Sequence, residues 1–210
     1  MSASLHGWII LDKPLGLGST QAVSAAKRAL RAGGYAKAKI GHGGTLDPLA
    51  TGVLPIALGE ATKLAGRMLD SDKIYDFTIR FGEQTDTLDG EGTVVARSGA
   101  RPERAALLAA LPAFTGPIAQ VPPAFSALKV DGERAYALAR AGAEVTLASR
   151  NVTIHALTAA PGPDGLLESA TLTAHVSKGT YIRSLARDIA LALGTVGHVT
   201  MLRRTKAGPF

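Results

Sequence analysis

Four glycines and a proline crowd a single aspartate in the segment Gly41-His-Gly-Gly-Thr-Leu-Asp47-Pro-Leu-Ala-Thr-Gly52, and the apolar run Val53-Leu-Pro-Ile-Ala-Leu58 follows at once. This pairing constrains the fold more than any other stretch. Glycine has no Cβ to clash, so such a backbone can turn tightly and come close to a ligand. The apolar run predicts a buried strand that anchors the loop. Pro55 favours an edge or a bulge there, because proline donates nothing to a ladder. Asp47 is the only carboxylate of the segment, with no cysteine and no second acid beside it. A rigid scaffold presenting one carboxylate on a glycine-rich loop is a common way to build a reactive site. The plainer reading of an Asp-Pro pair is a solvated turn, and the segment alone leaves both open.

Around this loop the pattern predicts short strands and helices in irregular order. Strands are expected over 7–12, ending at Lys13-Pro14, over 53–58, and over 75–81, where residues alternate. A polar turn over 85–92 leads to a returning strand at 93–97. Further strands are expected at 145–157, 168–178 and 197–204. Helices are expected over 21–32, capped by Ser19 or Thr20 and stopped by Gly33-Gly34, and over 60–69. Others follow over 102–111, with Pro102 at the first position, over 133–141 after an Asp131-Gly132 turn, and over 180–193. Residues 114–125 read as proline-rich and irregular. Without regular βαβ alternation, the pattern predicts an α+β fold with antiparallel pairing. A chain of 210 residues fits one domain, or one with an inserted piece.

At 46% hydrophobic and 19% charged residues the composition is that of an ordinary globular protein. The net charge of +6 suits an anionic partner such as nucleic acid, although many soluble proteins are this basic. Lys27, Arg28 and Arg31 lie at helical spacing, with Lys37 and Lys39 close behind; they read as a phosphate-contacting patch or a solvated face. With no cysteine, disulfides, thiol catalysis and thiolate metal sites are excluded. No two of the five histidines lie closer than 20 residues apart, so none forms the i, i+4 pair of a helical zinc site. No apolar run approaches the ~18 residues of a membrane span, and a signal peptide pattern is missing. A cytoplasmic protein with no membrane partner is expected.

Several motifs are decoys. Gly16-Leu-Gly18 begins a dinucleotide fingerprint that Gln21 breaks. Asp86 and Asp89 before Gly90 have the wrong spacing for a calcium loop. Asn151-Val-Thr153 is a formal glycosylation sequon, read as chance.

The string from Gly41 to Leu64 resembles the catalytic motif of the TruB family of tRNA pseudouridine synthases. Leu11-Asp-Lys13-Pro14 lies upstream in the order that family requires. Asp70-Ser-Asp-Lys-Ile-Tyr75, Ser177-Lys-Gly-Thr-Tyr181-Ile-Arg183 and Gly197-His-Val-Thr-Met-Leu202-Arg-Arg204 follow. The resemblance runs from about Gly7 to Phe210. It implies a mixed, mainly antiparallel central sheet flanked by helices, with the active-site cleft across it. The catalytic domain would span 1–210 with a thumb-like insertion around 125–150. The family's small C-terminal RNA-binding domain is expected to be missing, in a truncated or naturally short version.

The resemblance also implies the chemistry: a uridine at position 55 (tRNA numbering), in the T arm stem-loop of tRNA, becomes pseudouridine. Asp47 would be the catalytic nucleophile. Arg183 would keep that carboxylate ionised, and Tyr75 would stack on the flipped base. Tyr181 and Leu202 would line the pocket, and His42 would fill or buttress the gap left in the RNA. Lys13 would support the Asp47 loop or meet a phosphate. No cofactor, metal, guide RNA or obligate protein partner is implied; Leu49-Ala-Thr-Gly52 matches the bacterial, guide-free pattern. One departure is Gly43, where the family usually has Thr. A tRNA-binding chaperone without essential catalysis is the alternative; intact Asp47, Tyr75 and Arg183 favour the enzyme. A nucleotide-binding enzyme using the glycine-rich loop lacks the Lys-Ser/Thr pair of a phosphate loop.

Overall fold

The computed structural model describes residues 5–126, 128–130, 132–141 and 147–210. In chain order they form β1 (Gly7–Lys13), α1 (Ser19–Ala32), β2 (Ile40–His42), β3 (Ala50–Leu58), a 3₁₀ turn (Gly59–Leu64), α2 (Ala65–Asp70) and β4 (Lys73–Phe81). Next come β5 (Glu83–Thr85), β6 (Val94–Arg97), α3 (Arg104–Ala110), a second 3₁₀ turn (Leu111–Phe114) and β7 (Gly116–Gln120). The chain ends through β8 (Lys129–Val130), β9 (Glu133–Arg134), α4 (Ala135–Arg140), β10 (Arg150–Ala159), β11 (Ser169–Val176), α5 (Ile182–Ala192) and β12 (Gly197–Ala207). The fold is α+β, with a mixed, mainly antiparallel sheet flanked by helices, as the sequence predicts. Of the expected thumb-like segment 125–150, residues 127, 131 and 142–146 lie outside the described residues, and with them the Asp131 turn and the start of the strand expected at 145.

The chain divides into two compact units, Met1–Asp76 with Leu202–Phe210, and Phe77–Met201; β4 and β12 contribute to both. In the first unit β1 runs antiparallel to β3 from Gly7 opposite Leu58 to Lys13 opposite Gly52. On the other edge of β3, β12 pairs in parallel, with Leu202 opposite Ala50 and Arg204 opposite Gly52. Beyond them β2 pairs antiparallel, with His42 opposite Ile56. Residues 54–58 are all buried, which explains an apolar run without alternation.

Pro55 corrects the expectation of an edge or bulge, since β3 is paired on both sides. The carbonyl of Pro55 accepts the Gly43 N–H at 2.8 Å. Its missing N–H therefore faces that same edge, in the gap between the β12 and β2 pairings, where no ladder donor is required.

In the second unit β11 and β10 pair antiparallel, and β10 continues the pairing onto β7. Phe77, Ile79 and Phe81 of β4, Leu172 of β11 and Leu185 and Ile189 of α5 are fully buried; each such side chain stabilises by about 1.5–3 kcal/mol. A bulge between Ile154 and Ala156 sets His155 beside His175, ring centroids 4.8 Å apart, a neighbourhood that their separation in sequence hides.

Four local expectations change. The α1 N-cap is Gly18, whose N–H donates to Gln21 Oε1 at 2.9 Å, not Ser19 or Thr20. Residues 60–69 split into a 3₁₀ turn and α2, because Thr62 Oγ1 donates back to the Gly59 carbonyl at 2.8 Å and tightens the first turn. Pro102 lies before the N-cap of α3, Glu103, which a bridge to Leu166 keeps extended. The irregular 114–125 contains β7, whose Pro117 is tolerated because β7 ends the strand order.

Candidate active site

Asp47 sits half-buried in the loop from β2 to β3, and both of its neighbours are held. On one side Ser19 Oγ accepts the Leu46 N–H at 2.8 Å and donates to the Leu46 carbonyl at 3.0 Å. On the other the Pro48 carbonyl accepts the Gly16 N–H at 2.9 Å and Lys13 Nζ at 3.4 Å. Lys13 is completely buried and also donates to the Leu17 carbonyl at 2.6 Å. The Asp47 carbonyl closes the loop by accepting the Ala50 N–H at 3.0 Å. A carboxylate on a backbone fixed this way keeps its position without reorganising, which is what a reactive group needs.

Arg204 runs under the same loop, 1% exposed. Its Nε donates to the Val53 carbonyl at 2.8 Å, Nη1 to the Thr45 carbonyl at 3.3 Å and Nη2 to the Gly44 carbonyl at 3.3 Å. Nη1 also reaches Tyr75 Oη at 3.4 Å. Two glycines make this possible. Gly44 has φ +140°, and Gly52 has φ +100° with the Arg204 carbonyl where a Cβ would stand. His42 is half-buried, and its Nδ1 has no hydrogen-bond partner among the described residues. Burial, and secondarily the Arg204 charge, hold the His42 pKa below the ordinary histidine value. Leu202, 8% exposed, lies beside Ala50 in the β12–β3 register.

In the second unit, Tyr181 and Arg183 come together at the start of α5. Tyr181 is its N-cap, gripped by the fully buried Gln120: the Tyr181 N–H donates to Oε1 at 2.8 Å, and Nε2 donates to the Tyr181 carbonyl at 3.1 Å. The Arg150 guanidinium lies 5.9 Å from the Tyr181 ring centre, in cation–π range. Arg183 is buried, 3.4 Å from the Asp89 carboxylate, and donates to the carbonyls of Thr87 at 2.8 Å and Phe125 at 3.0 Å. The turn that carries Asp89 places Leu88 at φ +63°.

Lys13, His42, Asp47, Tyr75 and Leu202 thus share the first unit, while Tyr181 and Arg183 share the second. Three residues carry no clear signal of these contacts in the sequence. Ser19 reads as a helix cap, and Asp89 reads as part of the calcium decoy. Arg204 has only strand alternation to mark it, which puts it on the same face as Leu202. Its neighbour Arg203 points outward and forms a two-pronged pair with Asp12 at 3.0 and 2.9 Å.

Lys27, Arg28, Arg31, Lys37 and Lys39 are all exposed, and no acid occurs between Asp12 and Asp47. An open groove of about 510 Å³ lies along α1, lined by Gly16, Leu17, Thr20, Gln21, Ser24 and Arg28. Among the described residues, no helix is long and apolar enough to cross a membrane.

Comparison with known proteins draws these features together. The family model described as TruB family pseudouridylate synthase (N terminal domain) matches residues 28–182, and one for the tRNA pseudouridylate synthase B C-terminal domain matches residues 183–210. A tRNA pseudouridine synthase B of Novosphingobium aromaticivorans is 70% identical over 98% of this chain and 68% of its own length. That of Zymomonas mobilis is 60% identical over 99% and 67%. A crystal structure of a Cbf5-Nop10-Gar1 complex contains a chain that is 31% identical with a TM-score of 0.71, covering 97% of this chain and 49% of its own. A structure of an H/ACA RNP bound to a substrate RNA containing 2′-deoxyuridine has one at 28% with a TM-score of 0.69, covering 97% and 48%. The chain therefore spans about two thirds of the length of the first two relatives and about half of these solved chains. The motifs, the fold and these likenesses agree: the chain belongs to the TruB family of pseudouridylate synthases.

Proposed function

We propose that the chain converts a uridine of tRNA to pseudouridine, the one at position 55 in the T arm, without cofactor, metal or guide RNA. The observation that carries this reading is the Asp47 loop, a lone carboxylate whose flanking residues are held from both sides. The family supplies the reaction class. A stacked uridine is out of reach, so the base must be flipped, at a cost of a few kcal/mol. As the N1–C1′ bond breaks, the Asp47 carboxylate serves the glycosidic carbon. The base turns and rejoins through C5; the C5 proton leaves and N1 gains one, so product and substrate are isomers and no redox step arises.

Tyr75 stacks on the flipped base, Leu202 lines its pocket, and Tyr181 and Arg183 keep the roles that the family resemblance implies. Lys13, buried against the Pro48 carbonyl, supports the loop. His42 fills or buttresses the gap left in the RNA. The exposed cations along α1 and just after it hold phosphates. Identity of 70% and 60% to relatives named tRNA pseudouridine synthase B, against 31% to a chain of the Cbf5-Nop10-Gar1 complex, supports the guide-free form. The substrate puts the reaction in the cytoplasm.

The test is Asp47→Asn on unmodified tRNA. Pseudouridine formation is expected to vanish while tRNA affinity stays within about threefold, because phosphate contacts carry most of binding. Substantial turnover by the variant refutes the role of Asp47. Tight binding of tRNA by the unaltered chain with no conversion refutes the enzyme and leaves the chaperone.

A further inference from the structure

We propose that Arg204 is a positioning residue for this reaction, a single guanidinium that fixes both the Asp47 loop and the Tyr75 phenol. The inference rests on the proposed function for its meaning and on geometry for its substance. Arginine at a completely buried position is expensive unless every donor is used. Here three of the donor atoms are spent on carbonyls: Val53 in β3 and Gly44 and Thr45 in the loop, three and two residues before Asp47. The same Nη1 donates to Tyr75 Oη at 3.4 Å. The phenol oxygen is thereby committed as an acceptor, so its own proton points to another partner. One rigid planar group thus sets the distance from the loop to β4 and the rotation of the tyrosine hydroxyl. A lysine offers charge at this place without the fork, so it cannot hold the four contacts together.

The glycines fit this role. At Gly44 the loop comes within van der Waals distance of the guanidinium, 3.5 Å from the position of an added Cβ to Nη1, and at Gly52 the backbone of Arg204 itself fills the space a side chain would need. The loop has been left bare where the arginine passes. Arg203 is a ready control, because its side chain pairs with Asp12 in solvent.

The experiment uses the full chain with Arg204→Gln, Arg204→Lys and, as control, Arg203→Gln, each with unmodified tRNA under single-turnover conditions. For Arg204→Gln the rate of pseudouridine formation is expected to fall about 100-fold, the cost of a misplacement near 1 Å, while tRNA affinity changes less than about threefold. Arg204→Lys is expected to lose about tenfold, and Arg203→Gln to match the unaltered chain. A His42 titration followed by NMR should move towards the ordinary value in Arg204→Gln and much less in Arg204→Lys, a charge effect that loss of stability alone does not produce. A folded Arg204→Gln protein with a rate within threefold of normal overturns the proposal; if that variant does not fold, the same result for Arg204→Lys does so. If the unaltered chain makes no pseudouridine, the proposed function fails instead. Amide exchange over residues 45–50 then decides the positioning role: faster exchange confined to that stretch in Arg204→Lys supports it, and unchanged exchange overturns it.

Discussion

Replacing Ser19 with alanine separates two roles that the sequence cannot tell apart. If Ser19 were only a helix cap, its loss would cost about 1 kcal/mol. In the structure Ser19 is buried and makes both of its hydrogen bonds to the backbone of Leu46, itself 4% exposed. Removing the hydroxyl strands one N–H and one carbonyl away from water. Each unmatched buried group costs about 1–3 kcal/mol, and partial relaxation brings the pair to about 2–4 kcal/mol. For a chain of 210 residues, 1 kcal/mol moves Tm by about 2–4 °C, so calorimetry should find a fall of about 4–16 °C. Thr20→Ala, at an exposed neighbour, should move Tm by less than about 2 °C. Because Leu46 adjoins Asp47, the single-turnover rate of Ser19→Ala measured well below its Tm should also drop, about tenfold or more. A Tm within about 1 °C of the unaltered chain, with an unchanged rate, refutes the idea that Ser19 staples the loop.

The other expectations concern Gly43 and His42. A Cβ on Gly43 would lie 2.7 Å from Met68 Cβ, so Gly43→Thr should destabilise by about 1–3 kcal/mol as overpacking does. Met68→Gly, which removes that Cβ, should cost less in the Gly43→Thr chain than in the unaltered one, and additive effects in a double-mutant cycle by urea unfolding would count against the clash. The pKa of His42 is lowered in the folded chain, mainly by burial and then by Arg204. The neutral form is thus favoured on folding: its contribution is fully present above the unfolded value of about 6.5 and is lost as pH falls through the lowered folded value. His42→Asn should flatten stability against pH in that window, and an unchanged slope refutes the assignment.

Much of the fold was legible because its strands alternate or run apolar without a break, as β4 and β3 do. The loop itself was legible in its four glycines, while the segment alone left Asp47 open between a reactive site and a solvated turn. What stayed hidden depends on partners distant in sequence. Pro55 reads as an edge residue until Gly43 is seen to face it, and Asp89 reads as a turn acid until Arg183 arrives from 94 residues away, within 3.4 Å. Arg204 was within reach of period-two reasoning, since Leu202 shares its face, but the carbonyls it grips lie about 160 residues earlier.

The fasteners around Asp47 take hold of main-chain atoms: the amide and carbonyl of Leu46, and the carbonyls of Gly44, Thr45 and Pro48. The outward side chain at Thr45 is therefore decoration on a frame that does not consult it, whereas the ring of Pro48 fixes its own φ and restricts Asp47 before it. An engineer can rewrite the Thr45 surface and leave the acid where it stands.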